Sequence, residues 1–293
     1  MDDELRPLAT VLAKPEPPRE VELRSRNRLL ARMGESPRRR YGWLVPGFGM
    51  AAAAAVIALV VGVAVVGTTS APGSGREVLL VAATSAESAP EGSGKYWYTR
   101  AEAEGSDLVV ENWVSRDGGR WSKGTPANPH KVGPDRPQLF VLGDAELTWE
   151  ELQALPADPG RLTTWIRETH EREELTPAAA EELEDLGMTA ADQERFAVVH
   201  RLAALITSMP APSDVRAAAF RALADLPGVE NRGAVEGGEA LSIPTKVGEI
   251  NLVVDPETSR VSRANVVQGN DGSSLGSRSS YRLTAEWTDH LPR

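Results

Sequence analysis

The chain contains no cysteine. Disulfides, thiolate zinc sites, iron–sulfur clusters and cysteine nucleophiles are therefore all excluded at once. Histidine is almost as scarce, with four residues at His130, His170, His200 and His290, no two of them at a local metal-ligand spacing. The stretch HEREE at 170–174 begins like a zinc-protease motif, but Glu174 stands where the second histidine belongs. His200, flanked by Val199 and Leu202 in a helical pattern, reads as a partly buried structural residue. Complete phosphate loops are missing too. EGSGKY at 91–96 has Ala89 in place of the first glycine and Tyr96 in place of the final Ser/Thr. The paired carboxylates Glu173/Glu174 and Glu181/Glu182 fall on a charged helical face rather than in two contrasting environments, as acid–base catalysis requires. SLGSRSS at 274–280 lacks a nucleophile-elbow pattern and reads as a loop. No catalytic, cofactor-binding or metal-binding residue is expected, and a non-enzymatic protein follows as the expectation.

A further lack is local. Between Arg40 and Arg76 there is no charged residue, and Leu44 to Val66 forms an apolar run of 23. As a helix this run spans roughly 35 Å, against a hydrocarbon core of about 30 Å. Pro46 and Gly47 fall in its first turn, where a missing N–H is tolerated. A buried core helix is seldom apolar all round for this length. A cleaved signal peptide has a shorter apolar region behind a short basic start, whereas 43 residues precede this one. The expectation is a single transmembrane helix over 44–67. Arg38, Arg39 and Arg40 abut its N-terminal side, and Tyr41 and Trp43 sit where an interfacial aromatic belt forms. Positive flanks stay in the cytoplasm, so residues 1–43 are expected inside and the remainder outside the cell membrane.

Charge agrees with this arrangement. Residues 1–43 hold ten Arg/Lys and seven Asp/Glu, leaving 22 and 35 for the rest of the chain. A basic tail suits the anionic inner leaflet. The acidic outer portion argues against nucleic-acid binding there. In the tail, Leu5, Leu8, Val11 and Leu12 make a short apolar stripe, and a second helix is expected over Arg19–Met33, bounded by Pro18 and Gly34. Such amphipathic segments dock in a partner's groove or lie on lipid, and a largely disordered juxtamembrane tail is the equal alternative.

TTSAPGSG at 68–75 reads as a flexible tether, followed by a domain over 76–293 long enough to bury a core without staples. Its pattern runs helix, strands, helices, strands. Residues 76–88 read as helix or strand, with Val78, Leu79, Val81, Ala82 and Ala86 suited to a helix packed on a sheet, and Tyr96–Thr99 as a strand. DLVVENWVSRDGGRWSKG reads as a hairpin turning at Asp117–Gly119, with Trp97, Trp113 and Trp121 gathered on one sheet face. Helices are expected near Thr148, after Pro159-Gly160, from Thr176-Pro177, over 189–209, and from Ser213 as cap to Pro227-Gly228. Three alternating stretches then return as strands, with DPETSR as a tight turn. Segregated strands and helices predict an α+β fold with an antiparallel, curved sheet and a helical segment in the middle.

The opening MDDELRPLA, the R-x-R-x-x-LLAR pattern at 24–32, the Ala/Val anchor, ALPADPGRLTTWI, RAAAFRALADLPGV and VVDPETSRV together resemble an actinobacterial family of single-pass membrane proteins. The stretch LVVDPETSRVSRA is also similar to the curved-sheet domains of periplasmic lipoprotein carriers and of envelope-stress sensors. The resemblance implies an association with extracytoplasmic-function sigma factors. The tail has no histidine and no cysteine, so a zinc-containing anti-sigma motif is absent. Three functions stay open, of which an anchored enzyme has no support in the residues. Of the remaining two, one is a regulatory protein whose outer domain senses and whose residues 1–43 bind a cytoplasmic partner. The other is an envelope module that holds a lipid or lipidated protein against a concave sheet.

Protease added to intact cells is expected to digest the acidic outer portion and to spare the first 43 residues, as read by mass spectrometry of the protected fragment. Recovery of the whole chain in the soluble fraction without detergent would contradict the topology.

Overall fold

The computed structural model of the chain describes residues 73–124, 139–143, 145–171, 186–269 and 274–291. In chain order these form α1 (Gly75–Ser88), β1 (Tyr96–Ala103), β2 (Val109–Ser115), β3 (Arg120–Lys123), β4 (Phe140–Leu142), β5 (Ala145–Leu147), α2 (Trp149–Gln153), α3 (Pro159–Glu171), α4 (Ala190–Thr207), α5 (Ser213–Ala224), β6 (Glu230–Val235), β7 (Gly238–Thr245), β8 (Gly248–Asp255), β9 (Arg260–Gln268) and β10 (Ser274–Thr288). Among these residues no helix is long and apolar enough to cross a membrane. The run Leu44–Val66, its flanks Arg38, Arg39, Arg40, Tyr41 and Trp43, and the helix expected from Thr176 all lie outside the described residues.

The two groups of strands merge into one eight-stranded antiparallel sheet in the order β3-β2-β1-β10-β9-β8-β7-β6, and β4 with β5 forms a separate hairpin. The fold is α+β with an antiparallel sheet. Joining the groups is the β1–β10 ladder, which sets Trp97 opposite Trp287 and Tyr98 opposite Glu286. Side chains alternate across a strand, so Trp97, Ala101 and Ala103 face the helices. Tyr98 lies on the other face beside Trp113, their rings 4.9 Å apart. The three tryptophans expected on one face are therefore divided. Trp113 pairs with Trp121 outside, whereas Trp97 pairs with Val114 and points inward. One residue of register decides the face.

Local chemistry starts the helices. Ser74/Glu77, Thr148/Glu151 and Thr189/Asp192 each form a reciprocal capping box, which satisfies backbone N–H groups that a helix start leaves open. α3 begins at Pro159 itself, with Asp158 Oδ1 accepting from the Arg161 N–H at 2.8 Å. Proline fits a first helical position, because its missing N–H has no partner there anyway. Ser213, expected as a cap, is instead the first residue of α5, and Pro212 precedes it without a side-chain cap bond. The stretch 274–280, expected as a loop, is the first half of β10, where Leu275 pairs with Val267 of β9. Pairing with a neighbouring strand supplies what local preference does not.

α1 lies against β6, β7 and β8, and α4 against β7 and β9. α5 packs on α1, α3 and α4. Val78, Leu79, Leu202, Phe220, Leu223, Leu241, Ile243 and Val254 are fully or almost fully buried between these layers. The alanines of α1 and α5 are also buried, and short side chains let helix axes approach closely.

His200 of α4 stacks on Phe196 with ring centroids 5.7 Å apart. Burial first, and the Arg201 charge second, push its pKa down to about 4. The unfolded chain takes up this proton below pH about 6.5, while the folded state does not until pH about 4. Its stability contribution is full above the first value and declines as pH falls between the two. From pH 7.5 to 5 the full chain is expected to lose about 2 kcal/mol from this residue. His200→Leu should remove that part of the loss, read from urea midpoints at the two pH values; an unchanged pH response would contradict it.

Candidate functional site

Helices cover most of the inner face, but one strip at β1, β10 and the start of β9 is left partly open. Leu283 and Ala285 of β10 are only half-buried there. This strip floors a cleft of about 620 Å³, within the roughly 300–1,000 Å³ usual for small-molecule sites.

Sequence explains each wall. α4 stops at Thr207 because Pro210 and Pro212 follow, and proline neither donates nor fits a helix interior. The extended segment Met209–Pro212 then forms one side. Trp97 Nε1 donates to the Ser208 carbonyl at 2.6 Å, which ties the floor to this wall. On the opposite side runs the α1–β1 loop. A Cβ on Gly92 would sit 2.3 Å from Trp287 Cδ1, and one on Gly94 2.7 Å from the Thr288 nitrogen. The glycines of EGSGKY thus serve a close backbone approach, not a phosphate.

At one end four aromatic rings adjoin in sequence. Trp97 meets Trp287 at 5.4 Å, Trp287 meets Trp149 at 5.7 Å, and Trp149 meets Phe140 at 5.9 Å. The Arg116 guanidinium lies over both tryptophans, 4.4 Å from the Trp287 ring and 5.4 Å from that of Trp149, and donates to the Gly94 carbonyl at 3.1 Å. A cation over indole is favoured by the ring quadrupole.

The other end is the β8–β9 turn. Asp255 shapes it, accepting from the Glu257 and Thr258 N–H groups and from Thr258 Oγ1. The turn closes on Ser259 at φ 55, the one non-glycine positive φ among the described residues, a conformation that is strained for an L-residue. Ser259 is 1% exposed and its hydroxyl finds no partner. Arg216, in the first turn of α5, donates Nη2 to the Ser259 carbonyl at 3.2 Å. Among the described residues no carboxylate forms an ion pair with Arg216, Arg116 or Arg260, all three of which line the cleft. Burial, with the charge of Arg260 second, holds the Arg216 pKa below its ordinary value.

Other polar groups form satisfied sets. On the outer face Tyr98 donates to Glu111 at 2.6 Å, and Arg100 and Lys123 flank the same carboxylate. Burial and the Glu111 bond push the Tyr98 pKa up to about 12. Among the described residues no group of three or more His, Asp or Glu converges as a metal site. Of the sequence-read features, His200 is structural, and Glu173, Glu174, Glu181 and Glu182 lie outside the described residues. None of the cleft arginines stood out in the sequence, because their meeting depends on contacts between α5, the β8–β9 turn and the β2–β3 hairpin. No protein-family model matches the chain, and no curated protein or solved structure is significantly similar to it.

A buried ion pair loses roughly 3–5 kcal/mol when one partner is removed, but among the described residues Arg216 has no such partner. Arg216→Met, which keeps the aliphatic packing, should leave folding stability within about 1 kcal/mol of the parent. A loss of 3 kcal/mol or more in urea unfolding would show a structural role instead.

Proposed function

We propose that the chain is a single-pass membrane protein whose domain outside the cytoplasm is a receptor for a small ligand held in this cleft. Occupancy is reported to a cytoplasmic protein through residues 1–43. The observation that carries the reading is the cleft itself, where an aromatic cluster, arginines without a carboxylate partner among the described residues and a strained turn converge on a partly open strip of the inner sheet face. Strain and unpaired polar groups in a folded domain gather where a ligand acts. The anchor over 44–67, with Arg38–Arg40 inside, supports the two-sided arrangement. Against the bilayer the basic tail also has electrostatic purchase on anionic lipid. The resemblance to single-pass actinobacterial proteins points the same way, and the ladder of two short amphipathic segments suits a protein partner.

The second reading, an envelope module for a lipid or lipidated protein, draws on the apolar floor at Leu283 and Ala285. Elsewhere the space between sheet and helices is filled by core side chains such as Leu79, Leu202 and Ile243. The geometry therefore favours a compact occupant over a long acyl chain.

The full chain, purified in a neutral detergent from its own membranes, should carry a small molecule detectable by native mass spectrometry. Ala285→Phe, which fills the floor of the cleft, should abolish it. An identical set of bound molecules in both proteins, or none in either, would contradict the reading.

A further inference from the structure

We propose that the cleft is an oxyanion site: Arg216 and Arg116 take the carboxylate or phosphate head of a ligand whose compact apolar body lies on Leu283 and Ala285. This deepens the ligand-cleft reading and rests on it.

The argument begins with hydrogen-bond capacity. A guanidinium has five N–H donors in a planar fork and remains charged throughout the physiological range. Arg216 uses one of them, toward the Ser259 carbonyl. It sits half-buried in the cleft wall, with Arg260 close enough to repel it electrostatically. Buried or half-buried cations are ordinarily paired; this one faces a second cation instead. Arg116 is exposed, but its position is also set by neutral partners. It is fixed over Trp287 and Trp149 and donates to one backbone carbonyl, Gly94 O, with no carboxylate beside it among the described residues.

Among the described residues, nearby acidic groups do not pair with these arginines: the Asp214 carboxylate, in the same turn as Arg216, accepts from the Val215 N–H at 2.7 Å. Glu286 is opposite Tyr98 in the ladder and so projects to the outer face with it, contributing only backbone to the cleft. Glu91, at the rim, is exposed and forms no ion pair with the arginines. The cleft is thus a cationic spot on a domain that is strongly acidic as a whole. Such local reversal of sign concentrates an anion where it is needed.

A neutral donor reinforces the choice. The buried Ser259 hydroxyl adjoins the carbonyl that Arg216 holds, and it has no partner. Forked guanidinium groups match carboxylate and phosphate geometry, in one or two parallel hydrogen bonds. The floor supplies the rest of the specificity. Leu283 and Ala285 are half-open apolar side chains, and Trp287 edges them, so an aromatic or short aliphatic body gains from contact there. Such a ligand is an amphipathic acid or phosphate monoester, either free or as a lipid headgroup.

Titrate the full chain in neutral detergent with phenyl phosphate, benzoate and benzyl alcohol, following tryptophan fluorescence. Dihexanoyl phosphatidic acid and dihexanoyl phosphatidylcholine serve as the lipid arm. At least one anionic aromatic probe should bind about tenfold or more tightly than benzyl alcohol. Arg216→Met and, independently, the exposed-site variant Arg116→Gln should each weaken it by about tenfold, with circular dichroism unchanged. Tighter binding of the phosphatidic acid than of phenyl phosphate identifies a lipid headgroup as the source, and the reverse order a free anion. Equal affinity for charged and uncharged probes, or no response to either arginine variant, overturns the oxyanion site while leaving the ligand cleft intact. Absence of binding by every anionic probe also overturns it, and the ligand cleft then stands or falls on the molecule retained during purification.

Discussion

Trp97 and Trp287 face one another across the β1–β10 ladder, and that single pairing turns two separate runs of strands into one sheet. Without it, a three-stranded meander and a five-stranded meander would each expose an edge, and exposed edges invite association. With it, the inner face is continuous from β3 to β6 and the N- and C-terminal parts of the domain share one core. The Trp97 indole then does a second thing. Its N–H reaches the Ser208 carbonyl, so the junction between α4 and α5 is held above the same pair of strands. Contacts so distant in sequence form slowly, because loop closure precedes any return from them.

The helices account for what is covered and what is open. α1 and α4 shield the β6–β9 side, and alanine-rich α5 fills the space behind them. Among the described residues no helix lies over Leu283 and Ala285 in the same way. At that margin two residues in contact depart from a purely structural design: Arg216, a cation with no carboxylate beside it among the described residues, and Ser259, which combines a positive φ with a buried hydroxyl that has no partner. Each is destabilising on its own by the ordinary rules of packing and polar satisfaction. Their contact in one cleft is the observation on which the proposed ligand site rests. The same arrangement explains why Arg116 lies over Trp287 rather than over solvent: the indole face restrains a charge whose head remains free to bond.

Much of the architecture was legible in the sequence. Alternation over 238–268 and helical spacing over 190–207 gave strands and helices where the structure has them. The order of segregated elements gave the α+β class with an antiparallel sheet. Local signals failed where long-range pairing decides the outcome. SLGSRSS has loop composition, yet β9 recruits it as the first half of β10. The division of Trp97 from Trp113 turned on a single residue of register. The cleft was not legible at all. Arg216 sits in an alanine-rich helix, Ser259 in an ordinary turn, and Arg116 beside a glycine-rich hairpin. Only the fold brings them together, and no spacing rule along the chain connects them. The glycines at 92 and 94 were visible as a motif, but their reason, room for the Trp287 ring and its neighbour, is purely tertiary.

The central claim is that the cleft arginines act on a bound anion rather than on the protein itself. Diffraction from crystals of the protein soaked in 4-bromobenzoate tests it most directly, because bromine marks the body of the ligand and the density marks its carboxylate. The account predicts an anomalous peak over Leu283 and Ala285, with the carboxylate within hydrogen-bond distance of Arg216 or Arg116. A peak elsewhere on the molecule, or a carboxylate turned to solvent with both arginines unmoved, would contradict it.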